Sequence, residues 1–277
     1  MGLSPYDKLY IYYLEGRLIR PWEANFSRFV GNWEEDGYTF LFFTAPATEQ
    51  IGTLLEREPG LTLLDEFCMS YDEWQGEKIQ PRLIGRFLIL PPWYLTEGQA
   101  PALSHGHKII LDPGVVFGNG THPTTRDCLE ALELAFETRR PETVLDLGTG
   151  TGLLALAAGK LGCRRCLALD FNHLAACTAY ANVRLNGLEK TVLACRGRAE
   201  EYISTPADLL LANIHFDVMR RLVHSDGFLS KKAFILSGLL RSEARQIADD
   251  LSRLPVEIIR RWERDNIWHT FYGERQT

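Results

Sequence analysis

One stretch constrains this chain more than any other. Val144-Leu145-Asp146-Leu147-Gly148-Thr149-Gly150-Thr151-Gly152 carries an apolar run into a D-x-G-x-G-x-G loop, and Leu153-Leu154-Ala155-Leu156-Ala157-Ala158 leaves it with helical character. Glycine lacks a Cβ, so it is needed where the backbone turns sharply and comes close to a ligand. The next apolar run, Cys166-Leu167-Ala168-Leu169, ends at Asp170. That carboxylate falls about 20 residues beyond the loop, where such folds place the acid that holds ribose hydroxyls. Loop, helix, second strand and terminal acid in register make a far stronger signal than a glycine loop alone.

The spacing of the glycines bears on the ligand. The G-x-G-x-x-G form aims a helix N-terminus at a pyrophosphate. Here the glycines alternate, and Asp146 stands just before them. A carboxylate beside the loop would repel a pyrophosphate but can receive a cationic amino acid. The pattern resembles motif I of the S-adenosylmethionine-dependent methyltransferases, which implies S-adenosylmethionine as cofactor.

Beyond residue 140, apolar runs of two periodicities alternate. Strands are predicted over 143–147, 166–170, 191–195, 209–214, 233–237, 256–261 and 267–272, and helices over 152–161, 172–186, 216–224 and 242–254. Such alternation argues for an α/β fold: a doubly wound, mostly parallel sheet covered on both faces. The last two strands are joined by a short charged segment, 263–266, so they should form an antiparallel hairpin. A seven-stranded Rossmann-like sheet ending in that hairpin is the methyltransferase variant of the doubly wound fold.

The N-terminal part reads differently. Strands are predicted over 8–14, 37–43 and 61–69, with a helix over 48–57 that places Ile51, Leu54 and Leu55 on one face. This suggests a small α+β unit, with a ferredoxin-like βαββαβ pattern as one candidate, although 22–33 makes a poor helix because it contains Asn25, Gly31 and Asn32. Residues 72–79 read as a connector, 83–90 as one strand closed by Pro91-Pro92-Trp93, and 100–107 as loop. The division expected is 1–70 for a small substrate-recognition domain, 71–105 for a linker with a pre-core strand, and 106–277 for the methyltransferase domain.

Composition excludes several classes. No segment reaches the ~18–20 consecutive apolar residues of a membrane span. The first 20 residues lack the apolar centre of a signal peptide, so a cytoplasmic location is expected. Six scattered cysteines suggest no disulfide framework. Cys163-Arg164-Arg165-Cys166 has no second Cys/His pair at zinc spacing, so no metal is expected and both thiols are read as core-filling. Residues 1–95 hold 8 Lys and Arg against 14 Asp and Glu, while the remainder is balanced at 22 of each. An acidic N-terminal third without a basic face argues against nucleic acid and suits a basic protein partner.

A second motif is more specific. Leu111-Asp112-Pro113-Gly114-Val115-Val116-Phe117-Gly118-Asn119-Gly120-Thr121-His122-Pro123-Thr124-Thr125 is similar to the D-P-G-x-x-F-G-x-G-x-H-x-T-T segment of ribosomal protein L11 methyltransferases. Asp72-Glu73-Trp74, Ile84-Gly85-Arg86, Pro92-Trp93, Ala212-Asn213-Ile214 and Leu236-Ser237-Gly238 resemble further landmarks of that family. The resemblance is close over about 72–255. It implies cofactor contacts from Thr125, Gly148, Asp170 and Asn213. Gly150 of the loop is added to that set, and Phe117 is placed as a wall of the pocket. Pro123 suits a first helical turn with threonine hydroxyls beside it, and Gly114, Gly118 and Gly120 suit a lid. Two departures concern the substrate: His215-Phe216 follows A-N-I where the family has small or aliphatic residues, and the N-terminal unit matches poorly.

The function these readings imply is N-methylation of lysine or α-amine groups on ribosomal protein L11 or a similar basic protein. Asn213 is the expected catalytic residue, accepting an N–H from the amine and orienting its lone pair. His122 is read as ordering the lid and His215 as a helix-start residue. Two alternatives stand beside it: a small-molecule or RNA methyltransferase with the same core, and a non-catalytic cofactor-binding module that docks through its acidic N-terminal unit.

Overall fold

The computed structural model describes residues 5–19, 26–96 and 105–276. The chain divides into two compact units, residues 1–80 together with 172–174, and residues 81–171 with 175–277.

The first unit is built on β1 (Lys8–Glu15), β2 (Phe29–Glu35), β3 (Tyr38–Phe43), α1 (Thr48–Arg57), β4 (Thr62–Ser70) and the short α2 (Tyr71–Gln75). Its sheet runs β2-β3-β1-β4, every pair antiparallel. That is the strand order of the ferredoxin-like pattern. Residues 20–25, within the segment that would carry its first helix, lie outside the described residues. Phe29–Glu35, part of the stretch read as a poor helix, is a strand, and the reason is the turn after it. Asp36 and Gly37 both take positive φ, 49° and 88°, as a two-residue hairpin turn requires. α1 buries Ile51 and Leu54 against Tyr12, Leu14, Leu41 and Phe43. On the opposite face Tyr13 stacks on Phe40, with ring centroids 4.6 Å apart. α2 replaces part of the expected connector, because Ser70 and Glu73 form a reciprocal capping box.

The second unit opens with β5 (Arg82–Ile84), β6 (Phe87–Leu90), α3 (Trp93–Thr96) and β7 (His107–Ile110), three strands in the order β5-β6-β7. The single strand expected over 83–90 is therefore split. Gly85, at φ 53°, reverses the chain and β5 folds back on β6. α4 (Pro123–Thr138) follows, then β8 (Thr143–Leu147), α5 (Leu153–Leu161), β9 (Arg165–Asp170), α6 (His173–Leu185), β10 (Val192–Arg196), α7 (Ala199–Tyr202), β11 (Leu209–Asn213), α8 (Phe216–Val223), β12 (Ala233–Leu240), α9 (Arg241–Ser252), β13 (Val256–Arg264) and β14 (Trp268–Arg275).

The large sheet runs β10-β9-β8-β11-β12-β14-β13. Its first five strands are parallel, and β14 runs antiparallel between β12 and β13. The doubly wound fold with a terminal hairpin is thus present. Leu209–Ala212 of β11 are all buried, as expected for a parallel strand covered on both faces. One face packs on Leu129 and Leu132 of α4 and Leu153 and Leu156 of α5, the other on Met219 and Leu222 of α8 and Ile247 and Leu251 of α9. Strand order reverses at β8, with β9 on one side and β11 on the other. Ligands of open α/β sheets bind at the carboxyl ends of strands at that point.

Candidate functional site

The glycine loop follows β8 directly. The amides of Gly148 and Thr149 both donate to the carbonyl of Leu169, at 2.8 and 2.9 Å, which ties the loop to the end of β9. Gly148, Gly150 and Gly152 have φ of 73°, 55° and 86°. A Cβ on Gly148 would lie 2.2 Å from Cγ2 of Ile214, and one on Gly150 would lie 2.8 Å from the carbonyl oxygen of Phe117. Glycine is therefore required twice over, by conformation and by space.

Two carboxylates fix the loop from below. Asp170 accepts a hydrogen bond from the Gly150 amide at 3.0 Å and is 6% exposed. Asp146 is 1% exposed and accepts from the Thr149 hydroxyl at 2.6 Å. It also accepts from the Ala155 amide at the start of α5, where Gly152 has no side chain to cap the helix. Burial pushes the Asp146 carboxyl up to about 7; the Thr149 bond opposes this and the nearby Asp170 charge adds to it. Asp146 thus braces the loop from inside the sheet. It does not face a ligand, contrary to the reading of it as a receiver of a cationic group.

The segment from Leu111 to His122 lies over this loop. The Thr151 hydroxyl donates to the carbonyl of Gly118 at 2.7 Å. Asn182, fully buried on α6, accepts from the Asp112 amide at 2.9 Å and donates to the carbonyls of Asp112 at 2.8 Å and Thr151 at 2.9 Å. One turn later Asn186 brackets Ile110 in the same way, accepting from its amide at 2.9 Å and donating to its carbonyl at 2.6 Å. Within the segment, Asn119 closes an Asx turn on Thr121, and Asp112 accepts from the Gly114 amide.

The segment ends at the N-terminus of α4. His122 is the N-cap, with its Nδ1 3.3 Å from the Thr124 amide and 2.7 Å from the Thr124 hydroxyl. Its ring sits edge-on to Phe117 and Trp268, at 5.5 and 4.7 Å between centroids. Burial holds the imidazole below its ordinary value. The Thr124 hydroxyl in turn accepts from Nδ2 of Asn213 at 3.2 Å.

Of the residues singled out from sequence, Gly148, Gly150, Asp170 and Asn213 stand at the carboxyl ends of the adjacent strands β8, β9 and β11. Thr125 lies in the first turn of α4, 3% exposed, with no side-chain hydrogen bond among the described residues. Phe117 presents a ring that is 62% exposed, beside His122. His215 is exposed at the N-cap of α8. Cys163 and Cys166 are buried, with burial pushing the Cys163 thiol up to about 12 and Cys166 upward as well. The described residues contain no cluster able to hold a metal. Asn182, Asn186, Thr151 and Trp268 were not singled out. Of these, only Asn182 left a trace in the sequence, as a poor helix former inside a helix, with Asn186 just past its end.

The family model described as ribosomal protein L11 methyltransferase (PrmA) matches residues 69–276. A ribosomal protein L11 methyltransferase of Anoxybacillus flavithermus is 34% identical over 210 residues, which cover 73% of this chain and 64% of that protein. One of Geobacillus kaustophilus is 35% identical over 180 residues, covering 64% of this chain and 56% of that protein. The chain therefore spans less than two thirds of the length of these relatives. A solved ribosomal protein L11 methylase of Lactobacillus delbrueckii subsp. bulgaricus superposes with a TM-score of 0.60 at 27% identity, covering 70% of this chain and 96% of the other.

Proposed function

This chain belongs to the ribosomal protein L11 methyltransferase family, and we propose that it methylates lysine or α-amine nitrogens of ribosomal protein L11, or of a similar basic protein, using S-adenosylmethionine. The observation that carries this reading is that Gly148, Asp170 and Asn213 stand together at the carboxyl ends of three adjacent strands, where strand order reverses. The residues present fit such a cofactor. The glycine loop offers backbone where a Cβ would collide, the charged partner at the strand end beside it is the carboxylate of Asp170, and the Thr125 hydroxyl is without a hydrogen-bond partner among the described residues. The Asp170 carboxylate would repel a polyphosphate and attract a cationic nucleoside.

When bound, S-adenosylmethionine supplies an electrophilic methyl group on a sulfonium. Asp170 would hold the ribose hydroxyls, the loop backbone at Gly148 and Gly150 would line the amino-acid end, Thr125 would offer its hydroxyl, and Phe117 would wall the pocket. Asn213 would accept an N–H from the incoming amine and turn its lone pair toward the crevice. Displacement of this kind depends mainly on positioning, with reacting atoms held at about 3–3.5 Å. The amine must arrive neutral. For a lysine at an ordinary pKa of ~10.4 that costs roughly 4–5 kcal/mol at pH 7. A cationic neighbour and an apolar surround lower that pKa, so no strong base is required. Among the described residues, Nδ1 of His122 is committed to the α4 cap and Asp146 is sealed beneath the loop.

Residues 1–70 would recognise the substrate, 71–105 connect, and 106–277 carry the transfer, in the cytoplasm. No helix among the described residues is long and apolar enough to cross a membrane. The acidic excess of the N-terminal third, with the Tyr13–Phe40 stack on its sheet, suits lysine and arginine side chains. The test is to incubate the protein with methyl-labelled S-adenosylmethionine and a ribosome extract. Label on L11 or another basic protein is the expected result; label confined to RNA or metabolites overturns it. Added salt should raise the apparent KM for the protein substrate.

A further inference from the structure

Asn213 can turn its amide either way, and only one way serves the proposed reaction: the carbonyl end must face the amine. The hydrogen bonds at the start of α4 decide which. The amide of Thr124 is one of the first amides of that helix and needs an acceptor, and Nδ1 of His122 is placed to be it at 3.3 Å. Nδ1 must therefore carry a lone pair, which puts the ring proton on Nε2. The contact of 2.7 Å between Nδ1 and the Thr124 hydroxyl then has one solution, with the hydroxyl donating to Nδ1. A hydroxyl has a single hydrogen, so toward Asn213 it offers only a lone pair. Asn213 must present its NH2 there, at 3.2 Å, and its Oδ1 must point away. Oδ1 lies on the side of Gly238, where an added Cβ would come within 3.0 Å of it, and no protein donor reaches it among the described residues. Were the ring protonated on Nδ1, the α4 amide would face a hydrogen and the direction would be lost. Burial of the ring and the positive end of the helix both oppose that state.

We propose that His122, acting through the Thr124 hydroxyl, is the positioning residue that holds the Asn213 carbonyl toward the incoming nucleophile. This rests on the reading of Asn213 given above. The ring is kept in register by Phe117 and Trp268, so the segment that covers the crevice and the residue that orients the nucleophile share one side chain.

The test pairs substitutions that remove the relay with ones that keep it. Thr124→Val preserves shape and deletes the hydroxyl; it should lower kcat between about ten- and a hundredfold with cofactor Kd within about twofold of wild type, and Thr124→Ser should recover most of the loss. His122→Leu should behave as Thr124→Val, and His122→Asn, whose Oδ1 can replace Nδ1 as cap and acceptor, should recover it. Should Thr124→Val fail to fold, the His122 pair carries the same comparison. A readout independent of turnover is hydrogen exchange of the Asn213 side-chain amide by NMR, which should quicken in Thr124→Val and not in Thr124→Ser. The proposal is overturned if Thr124→Val turns over like wild type, if Asn213 exchange is unchanged, or if His122→Asn is as impaired as His122→Leu. Failure of the functional reading itself would look different: wild-type protein would transfer no methyl group to any protein, while the exchange difference would persist.

Discussion

The glycine loop and the segment lying over it touch at Thr151 and Gly118, yet they are held by opposite means. The loop is fixed locally. Its glycines permit the turns, two amides share the Leu169 carbonyl, and Asp146 and Asp170 bond to residues a few positions or one βαβ unit away. The covering segment is fixed from afar. Asn182 and Asn186 clamp its base from 70 to 76 residues downstream, and Thr151 holds its middle from 33. The first kind of restraint needs a particular backbone conformation, which a sequence must spell out in glycines. The second needs only a donor and an acceptor that happen to meet.

The comparison can be broken at four places. The largest effect should come from Asp146→Asn. The carboxyl has an ordinary value of 3.8 and a folded value of about 7, so the unfolded chain loses this proton first as pH rises. Its stabilising share is complete below about pH 4, is lost progressively up to pH 7, and is flat above. At 1.36 kcal/mol per unit the loss reaches about 4 kcal/mol. Asparagine cannot titrate, and its one carbonyl oxygen must serve the Thr149 hydroxyl and the Ala155 amide together, so the variant should lose the pH dependence of wild type over that window in denaturant melts. Gly148→Ala comes next: strain at φ 73° plus the approach to Ile214 should cost about 3 kcal/mol, read as a fall in melting temperature together with weakened cofactor binding. Asn182→Ala should cost about 2 kcal/mol by leaving the Asp112 and Thr151 groups unpartnered. Thr151→Val should be smallest, about 1 kcal/mol, and should speed amide exchange in 111–122 while leaving the glycine loop unchanged. Equal exchange in both regions would erase the distinction between them.

How much of this was legible follows the same division. Local chemistry announces itself: β8 and α1 lie where periodicity puts them, and the parallel order with its closing hairpin follows from alternation. Some local signals were present and passed over. Asp36-Gly37 is a two-residue turn that demanded a strand before it, Ser70-x-x-Glu73 is a capping box, and Gly85 divides an apolar run that reads as continuous. Asn182, Asn186 and Trp268 are another matter. Nothing near them in sequence marks what they touch, because their partners are chosen by the fold. Asp146 shows a third case. Its place beside the loop was correct, but only the burial of its side chain reveals that it faces the helix it caps.

One measurement bears most directly on the claim that strand-end backbone and a carboxylate grip a cationic nucleoside: calorimetric titration of S-adenosylmethionine into wild-type protein and into Asp170→Ala. Binding to wild type, weakened at least about tenfold in the variant, is the expected result, since a hydrogen bond to a charged group contributes about 1.5–3 kcal/mol. Absence of binding to wild type, or equal affinity in the two proteins, would contradict it.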